Sequence, residues 1–141
     1  MASILAVDDS ASMRQMVSFT LKGAGYDVVE ASDGVEALNI AKGRNVNLVI
    51  TDVNMPNMDG IELLERVKAE DAELPVIMMT AHGTVEKAVE AMQLGAFNFI
   101  LKPFENEALK QIVGKAVRTY SILKENRRLV DTLEGLYRFD N

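Results

Sequence analysis

No cysteine occurs in the chain. That excludes a disulfide framework and a thiolate metal site, and it fits a reducing compartment such as the cytoplasm. No apolar run reaches the roughly 18 residues that a membrane-spanning helix needs. The start, Met1-Ala-Ser-Ile-Leu-Ala-Val-Asp8-Asp9, has no basic region and meets acid early, so no signal peptide is expected. Histidine is represented once, at His82, which argues against a histidine phosphocarrier. Positive charge is sparse: residues 1–117 carry 10 Lys/Arg against 17 Asp/Glu, and residues 118–141 carry 5 against 4. Nucleic-acid binding needs clustered Lys and Arg to meet phosphates, and Arg127-Arg128 is too short a run to supply that. The chain is expected to be soluble and cytoplasmic, with no direct contact to nucleic acid or membrane.

What is present is an alternation. With 141 residues the chain should hold one domain, with or without a tail. Ser3–Val7 reads as a buried strand, and residues 11–23 follow with helical spacing through Met13, Met16, Val17 and Leu21 until Gly23 and Gly25. The same pair repeats four times. Asp27–Ala31 is a weaker strand near an edge, and 34–42 a short helix with Val35, Leu38, Ile40 and Ala41 inward. Val46–Thr51 precedes a helix over Gly60–Ala69, and Pro75–Met79 precedes one over Thr84–Leu94, capped by Thr84. Phe97–Leu101 precedes a last helix from near Glu105. Strands alternating with helices of about ten residues predict βαβ crossovers and an α/β fold. The leading topology is a flavodoxin-like, doubly wound, five-stranded parallel sheet of order 2-1-3-4-5 with five helices, the last one extended.

Four chemical signals sit just past strand ends: Asp8-Asp9, Asp52, Thr80 and Lys102. In such sheets ligands bind outside the carboxyl ends of the strands, and strands 1, 3, 4 and 5 would be neighbours there. Three carboxylates cannot all be ionised within a few ångströms without a cation. Mg²⁺ suits them, because it prefers carboxylate oxygen and shares its coordination with phosphoryl oxygen. Asp9 and Asp52 are expected as direct ligands, Asp8 as a ligand through water, and the Asn54 backbone carbonyl as a further oxygen. A carboxylate is also a nucleophile toward phosphorus, and Asp52 is the expected acceptor. Lys102 would pair with one phosphoryl oxygen, Thr80 would donate to another, and the Ala81 amide would add a donor.

Each piece also has a plainer explanation. Asp8-Asp9-Ser10 could merely cap the first helix, Asp52 could be a turn residue, Thr80 a strand-end hydroxyl, and Lys102 a solvated lysine. Their joint occurrence at four matching positions favours the site. The competing enzyme is an aspartyl-phosphate phosphatase of the haloacid-dehalogenase type, which needs a second Asp two residues after the nucleophile; Asn54 stands there. The chain is therefore expected to assist only its own phosphorylation and dephosphorylation rather than act as an enzyme. A flavin carrier would need a phosphate loop where Asp8-Asp9 would repel phosphate.

Val7-Asp8-Asp9-Ser10, the run from Asp52 through Asn54 to Asp59-Gly60, Met79-Thr80-Ala81 and Leu101-Lys102-Pro103-Phe104 together resemble the signature set of response-regulator receiver domains of two-component signalling. The resemblance covers residues 3–117. It implies a sensor histidine kinase as phosphoryl donor, a requirement for Mg²⁺ and a cis Lys102-Pro103 peptide. It also implies a switch in which Thr80 moves toward the phosphoryl group and Phe99 rotates inward, repacking helix 4, strand 5 and helix 5. Phe99 could equally be an ordinary core aromatic. His82, two residues past Thr80, would lie at the mouth of the site, or simply in a surface loop.

The last helix does not stop at the expected domain end. Residues 1–117 read as the receiver domain, with Leu109, Ile112, Val113, Ala116 and Val117 facing the sheet, and 118–141 as a helical linker. Thr119, Asn126 and Leu133 fall at heptad position a, and Ile122, Leu129 and Leu136 at d. Leu at d with one Asn at a suits a parallel two-stranded coiled coil, so a homodimer is expected through this helix and the face of helix 4, strand 5 and helix 5. A single helix folding back on its own domain remains the alternative. Lys124–Leu129 and Tyr137–Asn141 resemble the linker between receiver and ATPase domains of nitrogen-regulation-type transcription activators, and residues 75–141 as a whole are similar to that group. Residues 3–64 are more similar to single-domain chemotaxis regulators. The first expectation is a piece of an activator whose ATPase and DNA-binding segments are not in this chain. A fusion of two receivers and a stand-alone regulator follow.

Overall fold

The computed structural model describes residues 2–81 and 85–136, with Leu136 described by its backbone only. The expectations placed on His82, on Thr84 as a cap, on the Leu136 side chain and on Tyr137–Asn141 lie outside the described residues. Five parallel strands alternate with five helices. They are β1 (Ser3–Val7), α1 (Ala11–Gly23), β2 (Asp27–Ala31), α2 (Gly34–Gly43), β3 (Leu48–Asp52), α3 (Gly60–Glu70), β4 (Val76–Thr80), α4 (Val85–Gln93), β5 (Asn98–Leu101) and α5 (Asn106–Leu136). The sheet order is β2-β1-β3-β4-β5, the expected flavodoxin-like order.

Alternation along the strands explains the two layers. Leu5, Val7, Val49, Val53, Val76 and Met78 point to one side and share a core with Leu38, Leu63, Leu64 and Val67 of α2 and α3. Ile4, Ala6, Leu48, Ile50, Ile77 and Met79 point to the other side and meet Val17 and Leu21 of α1 and Leu109, Val113 and Ala116 of α5. A strand buried on both faces reads as a continuous apolar run rather than an alternating one, which is why β1, β3 and β4 were so legible. The first three helices each start on a side-chain cap. Ser10 Oγ accepts from the Met13 amide at 3.3 Å, Asp33 from Glu36 at 2.8 Å, and Asp59 from Glu62 at 2.9 Å.

Several boundaries and one helix face differ from expectation. β3 begins at Leu48 rather than Val46 and runs through Asp52, because Asp52 still pairs with Met79 in the ladder. β4 begins at Val76, since Pro75 has no amide to donate and contributes only its carbonyl, to Val49. β5 begins at Asn98, one residue late. Val35 does not face inward: it is 44% exposed, and Gly34, Ala37 and Leu38 take the sheet-facing stripe of α2. Met16 likewise lies on the shoulder of α1, half exposed beside buried Val17. α5 passes residue 118 without a break as one 31-residue helix, about 46 Å long at 1.5 Å per residue.

Candidate functional site

Parallel strands deliver their last residues to one edge, and three of the four signals arrive there from β1, β3 and β5, with Thr80 closing β4. Asp8 follows β1, and its amide continues the ladder by donating to the Ala31 carbonyl. Its carboxylate is buried and committed on both oxygens: Oδ1 accepts from the Ser10 amide at 2.9 Å, and Oδ2 lies 3.1 Å from Lys102 Nζ. Asp52, the last residue of β3, lies 3.3 Å from the same Lys102 ammonium. Asp9 is exposed. Ligand oxygens of Asp8, Asp9 and Asp52 come within 4.8 Å of one another.

Burial pushes the Asp52 carboxyl above the usual carboxylate range; Lys102 works against that shift, and the negative charges of Asp8 and Asp9 add to it. The edge thus holds three acids against one nearby ammonium. An all-oxygen, acidic, partly open cluster is the donor set that a hard divalent cation prefers, and with Asp8 occupied by protein donors, Asp9 and Asp52 are the carboxylates left to face it.

Thr80 is buried at the end of β4, with its hydroxyl 3.2 Å from the Ala81 carbonyl. Its own carbonyl accepts from the Lys102 amide at 2.7 Å, which couples β4 to the lysine. The Lys102-Pro103 peptide is cis. Phe99 is half-buried and packs against the core between the sheet and α2 and α3. Asn54 is exposed, and its side chain accepts from Lys87 Nζ at 3.4 Å. The structure therefore gathers Asp8, Asp9, Asp52 and Lys102, sets Thr80 at the same edge, and places Phe99 deeper, beneath it.

Sequence reasoning passed over three contributors. Arg14 donates to the Asp8 carbonyl at 2.6 Å and pairs with Glu30 at 3.0 Å, fixing the backbone under the acidic pair. Nothing in the local pattern marks it, because its partners lie on two different strands. Lys87 of α4 reaches the Asn54 side chain at 3.4 Å, a contact that its helix spacing does not mark. Gly60 was read as a helix start, yet a Cβ there would collide with the Asp52 carbonyl oxygen and come 2.8 Å from the Met78 methyl. The α3 N-terminus packs onto the end of β3 only because that position is glycine.

A family model described as the response regulator receiver domain matches residues 4–114. The chain is 44% identical over 115 residues to the transcriptional regulatory protein FixJ of Bradyrhizobium diazoefficiens, covering 82% of this chain and 56% of FixJ. Among solved structures, NtrX of Brucella abortus superposes with TM-score 0.86 at 36% identity, over 92% of this chain and 30% of that one. The chemotaxis protein CheY4 of Vibrio cholerae superposes with TM-score 0.77 at 42% identity, over 82% of this chain and 98% of that one. The chain spans about half the length of FixJ. Among the described residues no helix is long and apolar enough to cross a membrane.

Proposed function

The chain belongs to the response regulator receiver family, and from that premise we propose that Asp52 is a reversible phosphoryl acceptor served by a sensor histidine kinase in the cytoplasm. The observation that carries this reading is the clustering of three carboxylates within 4.8 Å of one another, with one ammonium shared between Asp8 and Asp52. In the reaction, an Asp52 oxygen attacks phosphorus in line, the bond from phosphorus to the donor's imidazole nitrogen breaks, and its electron pair stays on that nitrogen. Asp9, Asp52 and the Asn54 carbonyl would hold Mg²⁺, with Asp8 reaching it through water. The ion would supply charge neutralisation for the acids and the phosphoryl oxygens. Lys102 would exchange part of its contact with Asp52 for a phosphoryl oxygen, and the Thr80 hydroxyl and Ala81 amide would donate to another.

The output reading follows from packing. Thr80 drawn toward a phosphoryl group would leave room that Phe99 can enter, shifting the population between two packings of α4, β5 and α5. That face is partly apolar in the single chain: Val85, Val89 and Met92 of α4 are exposed, as are Ile122, Leu129 and Leu133 farther along α5. A homodimer through this face and through residues 118–141 as a coiled-coil linker would cover them. Transcription control by further ATPase or DNA-binding segments fits the similarity to regulators longer than this chain.

Intact mass after incubation with Mg²⁺ and a small acyl phosphate tests the acceptor. The expected result is a labile gain of one phosphoryl group, lost in Asp52→Asn and absent in EDTA. Steady release of phosphate from unrelated monoesters, with no phosphorylated chain accumulating, would instead identify a phosphatase.

A further inference from the structure

The opposite edge of the sheet holds a second cluster that the phosphoryl chemistry does not use. Helices in a parallel sheet run back against the strands, so α3 and α5 both descend from the site edge toward the base. There Tyr120, buried at 4% exposure one turn beyond Ala116 in α5, donates its hydroxyl to Asp71 Oδ2 at 2.5 Å. Asp71 is the residue that ends α3: its amide donates to the Val67 carbonyl, and its Oδ1 accepts from the Glu73 amide at 3.0 Å. Burial alone would raise the Asp71 carboxyl, but the Tyr120 and Glu73 hydrogen bonds, with Lys124 and Arg127 nearby, outweigh it and hold Asp71 below the usual carboxylate range. The contact is therefore a short hydrogen bond to an ionised acceptor, the stronger kind.

Two further residues of α5 extend the contact outward. Lys124 Nζ lies over the Tyr120 ring, 5.1 Å from its centroid, and Arg127 pairs with Glu73 at 3.4 Å. Farther along α5, Leu129, Val130 and Leu133 are each about half exposed. Tyr120 also lies past residue 114, where the match to the receiver family ends. The clamp belongs to the junction between domain and linker.

Its position at the end of α3 connects it to the site edge. The first residue of α3, Gly60, donates its amide to the Val53 carbonyl at 2.9 Å and abuts the Asp52 carbonyl. Leu63, Leu64 and Val67 bury the inner face of the helix. α3 is thus an 11-residue strut, about 16 Å long, pinned at one end to the strand of Asp52 and at the other to Tyr120. Well-packed helices transmit displacement because interiors resist compression.

We propose that Asp71 and Tyr120 form an anchor that fixes the direction in which α5 leaves the domain, and that α3 ties this anchor to the loop after Asp52. If Tyr120 only filled space, phenylalanine would serve as well. The anchor instead depends on the hydroxyl. The second half of the proposal rests on the acceptor reading of Asp52; the first half does not.

Because the chain has no cysteine, Glu65→Cys on the exposed face of α3 and Asp131→Cys beyond the clamp give unique nitroxide sites. Pulsed electron-electron resonance on the full chain, diluted with unlabelled chain to suppress distances between copies, reads the exit direction of α5. The parent should give one narrow distance distribution, and Tyr120→Phe should at least double its width. An unchanged width overturns the anchor. Beryllofluoride with Mg²⁺ then probes the tie. If the parent binds none, the acceptor reading fails while the distance result stands. If it binds, Tyr120→Phe should change its affinity by about threefold, since coupling between the two ends of α3 is reciprocal. Unchanged affinity overturns the tie through α3.

Discussion

Two aspartates, at opposite edges of the same sheet, are treated in opposite ways. Asp52 closes β3 among like charges, and burial with its acidic neighbours pushes its carboxyl up. Asp71 closes α3 among donors, which hold its carboxyl down in spite of burial. One edge leaves a carboxylate poorly neutralised, which suits the cation and phosphoryl group proposed for it. The other satisfies a carboxylate completely, as a structural joint must. The difference shows how a single residue type acquires reactivity or rigidity from the groups around it.

Breaking the satisfied edge should cost more stability than altering the site edge. Asp71→Ala removes the acceptor of both the Tyr120 hydroxyl and the Glu73 amide, and it leaves a buried hydroxyl to find water. A loss of about 2 kcal/mol is expected from removal of a charged acceptor, seen as a lower denaturation midpoint at pH 7. Tyr120→Phe should cost about 1 kcal/mol, and the double variant less than the sum of the two, because the substitutions share one interaction. Additive losses would mean that the two side chains do not act together. The pH dependence has a defined sign. A carboxyl held low stabilises the fold above its unfolded value, near 3.8, and this contribution is lost as pH falls through the lower folded value. The parent should therefore lose more stability than Asp71→Ala on acidification below about pH 4.

The site edge should respond in the other direction. A raised carboxyl favours the fold only while it is protonated, so the advantage is lost as pH rises through the raised value, and at neutral pH the ionised Asp52 opposes folding. Asp52→Asn should stabilise the metal-free chain by roughly 1 kcal/mol, a rise of about 3 °C in Tm for a domain of this size. Millimolar Mg²⁺ should raise the parent's Tm but not that of Asp52→Asn, which would shrink or reverse the gap. A metal-free Asp52→Asn chain that melts below the parent would show the acidic edge to be as well satisfied as the base.

The two edges also differ in how far the sequence disclosed them. Asp8, Asp52, Thr80 and Lys102 could be placed at one edge because each follows an apolar run, and a parallel sheet sends every run's end to the same side. The sheet order and its flavodoxin-like class followed from the same alternation. The base could not be read this way. Tyr120 and Asp71 are 49 positions apart, on two helices whose separate periodicities say nothing about which residues meet. Arg14 escaped for a similar reason: it serves a backbone carbonyl, and carbonyls leave no mark on a sequence. Val35 misled because a valine among helix-spaced apolar residues looks inward, whereas Gly34 and Ala37, which permit closer approach, take the sheet-facing stripe.

The smallest effect locates the outer limit of the satisfied edge. Arg127 pairs with Glu73 at the outer side of the clamp, with 63% of the Arg127 side chain open. Such a pair contributes at most about 1 kcal/mol. Leu129 lies just beyond and is 51% exposed. Leu129→Ala should change the stability of the dilute, monomeric chain by no more than about 0.5 kcal/mol, whereas Leu109, fully buried against the sheet earlier in the same helix, should cost about 3 kcal/mol when cut to alanine. Should Leu129 join a second copy as a d-position residue, the same substitution would raise the dimer dissociation constant while leaving monomer stability alone, which sedimentation over a concentration series would resolve. A loss of monomer stability at Leu129 as large as that at Leu109 would mean that α5 folds back on its own domain, and that the satisfied edge extends well beyond Tyr120.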